Sequence, residues 1–138
     1  MHRRVDVCAL MGALALVIGC SGAVATPRVG GPVVGEWNGP HASLTLTESG
    51  GSIEYDCGHG GLRAPVSPDD AGRFTVAGVH FRGHGGPVRI GEVPDSASAQ
   101  YVGTVQGDQL TLRVLVGAET LGPFTLRRGA ESRLVRCL

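Results

Sequence analysis

The sequence predicts a small all-β domain, an up-and-down antiparallel barrel of about eight strands, behind an N-terminal export signal. Three observations carry this. From Val33 onward apolar and polar residues alternate with a period of two, and Gly, Pro, Asn and Asp clusters break the alternation into short runs. No stretch of ten or more residues beyond the N-terminal segment shows the 3.6-residue period of an amphipathic helix. The breaks are also short, so successive strands are joined as hairpins, and closure into a barrel removes the exposed edges. A twisted open sheet or a two-sheet sandwich is the alternative arrangement.

The first 25 residues stand apart. Arg3 and Arg4 precede an apolar run from Val7 to Ile18, followed by small residues, which is the layout of a secretory signal. The run is shorter than the roughly 20 apolar residues that cross a bilayer. Two cleavage sites compete. Val17-Ile18-Gly19-Cys20 matches a bacterial lipobox, in which Cys20 is lipidated and becomes the new N-terminus. Ala23-Val24-Ala25 matches the small-x-small rule of ordinary signal peptidase, and cleavage after Ala25 would release a soluble protein. Lipidation at Cys20 is the favoured reading and places the domain at a membrane surface through its acyl chains. Residues 26–32, rich in Gly and Pro, then form a flexible linker ahead of a barrel domain at 33–138.

Within the domain the expected strands run in order. Val33 to Trp37 comes first, ended by Asn38-Gly39-Pro40, and Ser43 to Glu48 follows with Leu44 and Leu46 on one face. After Ser49-Gly50-Gly51, the run Ser52 to Cys57 puts Ile53, Tyr55 and Cys57 on a shared face. Gly60 to Val66 is a weaker strand cut by Pro65. Arg73 to Phe81 has Gly78 at its centre, which suggests a bulge or bend. The Gly- and Pro-rich segment Arg82 to Ser98 is irregular. Ala99 to Gln106, Gln109 to Val116 and Glu119 to Arg127 are separated by tight turns at Gly107-Asp108 and Gly117-Ala118. Leu110, Leu112, Val114 and Val116 share one face, and Phe124 and Leu126 point inward. Leu134 to Cys137 reads as a closing strand.

Of four cysteines, Cys8 falls in the signal and Cys20 is either removed or lipidated. Cys57 and Cys137 remain, in a compartment where disulfides persist, and are expected to pair. Closing so long a loop restricts the unfolded chain by roughly 4 kcal/mol. The alternative is two free thiols that ligate a metal together with nearby histidines.

Charge excludes one class of partner. All 12 basic residues are Arg, and beyond residue 25 there are 10 Arg against 11 Asp plus Glu. A near-neutral domain lacks the basic excess that neutralises phosphates, so nucleic acid is not an expected partner. Chemistry-bearing residues are few. His59, His80 and His84 are the weak candidates for a metal site, with His80 and His84 at His-x3-His spacing. That spacing aligns two rings on a helix, whereas this context is a strand entering a Gly-rich loop. His41, Ser43 and an Asp could supply the residue types of a hydrolytic triad, but no nucleophile-elbow motif surrounds Ser43. Hence no catalytic residue and no cofactor are assigned. Trp37, Tyr55, Phe74, Tyr101 and Phe124, with Phe81, either fill the core or line a pocket for a small apolar ligand.

Three resemblances add to this. Gly35-Glu36-Trp37 resembles the Gly-x-Trp opening of lipocalin-like barrels, whose Trp packs under the barrel floor. More widely, Ile53-Glu54-Tyr55-Asp56-Cys57-Gly58-His59-Gly60, His84-Gly85-Gly86-Pro87, Tyr101-Val102-Gly103 and Arg136-Cys137-Leu138 resemble a group of small, uncharacterised bacterial secreted proteins and lipoproteins. That resemblance implies a fold and an envelope location and no activity. Tyr55-Asp56-Cys57 in a disulfide-closed barrel is also similar to periplasmic inhibitors of C-type lysozyme, which implies an inhibitor role. Those proteins use a loop with Ser and Lys, and this chain has no Lys, so no residue is carried over. The expectation is a non-enzymatic lipoprotein that binds a small ligand or an envelope partner. The alternatives are an inhibitor-type interaction module, with Arg82 to Pro94 as its contact loop, and a periplasmic metal-binding protein.

Overall fold

The structure, a computed structural model, describes residues 30–137. The signal segment, Cys20, Ala25 and most of the 26–32 linker lie outside the described residues. Eight antiparallel strands form a closed barrel in which each strand pairs with its sequence neighbours: β1 (Gly35–Gly39), β2 (Ala42–Thr47), β3 (Gly50–Tyr55), β4 (Gly58–Leu62), β5 (Arg73–Arg82), β6 (Ser96–Gln106), β7 (Gln109–Val116) and β8 (Glu119–Arg128). The fold class is therefore the expected one. Among the described residues no helix forms. The barrel closes through a short β1–β8 seam, Trp37 opposite Arg128 and Asn38 opposite Arg127.

Alternation decides which side chains point inward. On β7, Leu110, Leu112, Val114 and Val116 are all buried, as are Leu44 and Leu46 on β2 and Phe74 and Val76 on β5. The hairpin turns after β6 and β7 use Gly107 (φ 58°) and Gly117 (φ 59°), the left-handed conformation that a two-residue turn between twisted strands requires. Trp37 is fully buried at the floor, the end where β1 begins, and the Arg128 guanidinium lies 4.4 Å from its ring centroid.

Three expectations are corrected. Gly78 marks no bulge: β5 keeps unbroken register with β4 and β6 on both sides, Leu62–Gly78–Ala99. A Cβ at Gly78 would run into the Gly61 carbonyl oxygen and sit 2.6 Å from Tyr101 Cε2, so the glycine makes room for a tyrosine ring. The register shift occurs instead between Leu112 and Val114, opposite Gly122-Pro123 on β8, where proline's missing N–H is accommodated. Cys57 leaves the face of Ile53 and Tyr55. β3 ends at Tyr55, and Cys57 takes φ 66° in the turn, exposed. Finally, Leu134 to Cys137 is not a strand. The β1–β8 pairing has already used the edge it would have joined, so the tail crosses the outside instead. It makes one parallel bridge, Arg133 to Pro40, with Arg133 N–H donating to Gly39 O and His41 N–H donating to Arg133 O.

Candidate functional site

The two ends of the barrel differ. Bulky inward residues pack the floor, while inward positions shrink toward the opposite end, as in the series Leu46, Leu44, Ala42 on β2 and Leu62, Gly60, Gly58 on β4. A cavity of about 400 Å³ opens there, at the mouth formed by the β1–β2 and β3–β4 turns, the end of β5 and the start of β8. Its apolar wall is Tyr55, Leu121 and Phe124, with the Tyr55 and Phe124 ring centroids 5.5 Å apart. Its volume falls within the range of small-molecule sites.

The polar groups sit in two layers. Deeper in the barrel, the Tyr101 hydroxyl donates to Val79 O at 2.7 Å, and the Tyr55 hydroxyl makes a long contact to the Tyr101 hydroxyl at 3.5 Å. Burial, followed by the hydrogen bond with Tyr101, holds the Tyr55 phenol far above the ordinary tyrosine range; burial also raises Tyr101. Both phenols are thus neutral donors whose bonds are spent inside the protein.

At the level of the mouth, β5 carries His80 and Arg82 at inward parity with Phe74 and Val76. His80 is 7% exposed and its ring centroid lies 5.5 Å from that of Tyr55. Its Nδ1 is buried with no hydrogen-bond partner. Burial, with the Arg82 charge second, keeps its pKa below the ordinary histidine value, so the imidazole is neutral at neutral pH. Arg82 Nη2 donates to Glu119 Oε2 at 3.0 Å across the mouth, an ion pair at the solvent-facing entrance with both side chains more than half exposed.

The rim is tied by Asp56. One of its carboxylate oxygens pairs with His41 Nδ1, and the other accepts the Val135 N–H at 2.6 Å. The Val135 N–H, and next the His41 bond, hold the Asp56 carboxyl below the ordinary range. Beside it, Cys57 and Cys137 form the disulfide, 80 residues apart in sequence with Cα atoms 5.0 Å apart. The tail is thereby clamped from the β1–β2 turn to the β3–β4 turn. His41 and Asp56 are two members of a triad on paper. Ser43 is not the third, because its hydroxyl donates to Asn38 Oδ1 at 2.6 Å.

The histidines of the sequence reading do not gather. His59 opposes Phe81 on the outer face of β4, their rings stacked 4.7 Å apart, whereas His80 on the next strand points inward. His84 lies in the β5–β6 loop and pairs with Glu92 at 2.8 Å. Among the described residues no group of three or more His, Cys, Asp or Glu is placed to hold a metal ion. Of the aromatics, Tyr55 and Phe124 line the mouth, and Trp37, Phe74 and Tyr101 are packed in the core. The β5–β6 loop is closed at its base by Arg82 N–H to Asp95 O, and it exposes Val88, Ile90 and Val93.

Sequence reasoning missed the Arg82–Glu119 pair and Leu121 as parts of this mouth. A usable signal existed for Arg82, since every second residue from Phe74 faces inward. Glu119 also had one, because it opposes the inward-facing Val116. Comparison of the chain with family models, with curated proteins and with solved structures found no match.

Proposed function

We propose that this protein is a non-catalytic binding barrel of the bacterial envelope, tethered by lipid at Cys20, that holds a small, largely apolar ligand in its mouth. The observation that carries the reading is the cavity of about 400 Å³ walled by Tyr55, Leu121 and Phe124, with the nearly buried His80 in its lining. The Cys57–Cys137 pairing suits an oxidising compartment, and the lipobox supports export and anchoring. Ser43, the candidate nucleophile of the sequence, is bonded to Asn38 and not to the His41–Asp56 pair.

The test is titration of the isotopically labelled mature domain with a panel of small aromatic and aliphatic compounds. Amide shifts confined to Gly58, Arg82, Leu121 and Phe124, and lost in Phe124→Ala, are the expected result. Turnover of a hydrolytic substrate that His80→Ala abolishes would refute it. Mass measurement of protein from the membrane fraction tests the diacyl modification of Cys20 separately.

The second reading, an inhibitor-type interaction module, is favoured by the three exposed aliphatic residues Val88, Ile90 and Val93 on one loop beside the mouth. It predicts that an envelope protein is retained by the wild-type domain and released by the triple Ser variant; retention by both would exclude the loop.

A further inference from the structure

We infer that the mouth end of the barrel docks on a lipid surface, with the tip of the β5–β6 loop inserting its aliphatic side chains among the headgroups. This rests on the reading of the domain as an envelope-tethered barrel and adds which end meets the membrane.

Exposed apolar side chains are not spread evenly over the molecule. Among the described residues the exposed large hydrophobics are Val34, Val88, Ile90, Val93 and Val135. Val34, at 40% the least exposed of them, lies at the floor, just ahead of β1. Val88, Ile90 and Val93 belong to the loop that leaves β5 at Arg82 and enters β6 at Ser96, at the mouth end. Val135 lies in the tail beside the β3–β4 turn, at the same end. The loop holds its aliphatics out on a built turn. Glu92 N–H donates to Arg89 O at 3.1 Å, Gly91 takes φ 82°, and the Glu92 carboxylate accepts the Arg89 N–H at 2.9 Å. The same carboxylate pairs with His84. Ile90 stands at the apex of this turn, fully exposed, with Val88 78% and Val93 85% exposed on either side. Three aliphatic side chains held in water are unfavourable, which marks the tip as a contact surface.

Lipid fits this tip better than a folded partner does. Three side chains on one narrow turn fall short of the roughly 800 Å² per partner of a stable protein interface. Residues 83–95 also contain no Trp, Tyr or Phe to serve as an anchor. A lipid surface imposes no shape on what enters it, and aliphatic side chains on a protruding turn gain by leaving water there. Arg89 makes no ion pair among the described residues, so its guanidinium is free for lipid phosphates while its stem lies along the aliphatics. The length of the tether permits this orientation. Ser21 to Pro32, twelve residues between Cys20 and the barrel, reach at most about 40 Å. The ten residues of β5, which run from floor to mouth, rise only about 33 Å. A domain tethered at its floor therefore still turns its mouth to the membrane. The cavity walled by Tyr55, Leu121 and Phe124 opens at that same end, so an apolar ligand passes from lipid to mouth without crossing water.

The experiment uses the disulfide-intact mature domain without acyl chains, at millimolar lipid, with vesicles of equal parts phosphatidylcholine and phosphatidylglycerol. Co-sedimentation of the wild-type domain with these vesicles is the expected result. Val88→Ser/Ile90→Ser/Val93→Ser should lower its partition coefficient about tenfold or more. These side chains lie outside the core, so the triple variant should melt at the wild-type temperature. Orientation is read by tryptophan emission, against the constant background of the fully buried Trp37. Ile90→Trp should shift to the blue on vesicles and be quenched by brominated acyl chains, while Val34→Trp at the floor should stay unchanged. Failure of the wild-type domain to bind, wild-type affinity in the triple variant, or equal shifts at both reporters overturns the inference. So does retention of an envelope protein through this loop by a domain that ignores vesicles. Because the domain tested carries no lipid, these outcomes are independent of the mass of Cys20 and of ligand titration at the mouth.

Discussion

Replacing Gly78 by Ala sets two physical effects against each other, and the structure says which wins. In a strand, Ala loses less backbone freedom on folding than Gly and would stabilise the domain by about 0.5–1 kcal/mol if its methyl had space. At Gly78 it has none. The added Cβ would collide with the Gly61 carbonyl and lie 2.6 Å from Tyr101 Cε2. Relief requires both the Gly61 carbonyl of β4 and the Tyr101 ring to move, and that ring is anchored by its hydroxyl bond to Val79 O. Overpacking of a closed core costs about 1–3 kcal/mol, and loss of the anchoring bond adds about 1 kcal/mol. The expected net is a destabilisation of about 1–3 kcal/mol, after the backbone gain is subtracted. The neighbouring Gly61 is the control. It has the opposite parity, and a Cβ there would meet Val79 Cγ1 at 3.7 Å and Gly51 O at 3.8 Å, ordinary contact. Gly61→Ala should therefore be neutral or stabilising by about 0.5 kcal/mol. Urea denaturation of the oxidised domain reads both, with the midpoint moving and the slope unchanged. A Gly78→Ala midpoint at or above wild type, or an equal fall in Gly61→Ala, would refute the assignment of Gly78 as space for Tyr101.

Further expectations concern the tail, the tyrosine and pH. Cys57→Ser/Cys137→Ser should lower unfolding free energy by up to about 4–5 kcal/mol, the loop-closure entropy of an 80-residue separation, measured against wild type without reductant. Tyr101→Phe removes the donor to Val79 O and should cost about 1 kcal/mol in the same assay. His80 has a folded pKa below its unfolded value, so the unfolded chain takes up the proton first. Stability is then full above about pH 6.5 and falls as pH drops from there toward the folded value, a slope that His80→Phe should remove. Asp56 and Asp69 act lower. Their carboxyls are held below the ordinary range, so their contribution is present above about pH 4 and lost as pH falls through the folded values. Asp56→Asn should flatten part of that acid limb in a pH series of melting curves.

The C-terminal half of the barrel was readable because local and global demands agree there. Leu110, Leu112, Val114 and Val116 alternate without interruption, glycines sit where the tight turns need them, and the strand bounds of β7 match those expected from sequence. Elsewhere the local pattern met a rival from outside its own window. Gly78 obeys Tyr101, a residue 23 positions away whose approach no strand rule contains. Leu134 to Cys137 alternates like a strand and forms none, because whether an edge is free depends on β1 and β8 having met first.

The mouth follows the same logic at one remove. Its location comes from a gradient of side-chain size along inward rows: Leu46, Leu44, Ala42 on β2 and Leu62, Gly60, Gly58 on β4 narrow toward one end, while Trp37 and Phe74 crowd the other. Each row can be read from sequence once parity is known, but the direction of every second row must be reversed before the rows are compared. Hairpin order supplies that reversal, so the open end was already implicit in the run of small residues near Ala42, Gly58 and Ala99. What lay beyond reach was the meeting of Arg82 with Glu119, since β5 and β8 are three strands apart and touch only across the barrel's width. The polarity of the site depends on that meeting. Without it the mouth would hold an arginine with no counter-charge and favour anions; with it, a half-exposed ion pair stands at the entrance beside the apolar wall of Tyr55, Leu121 and Phe124.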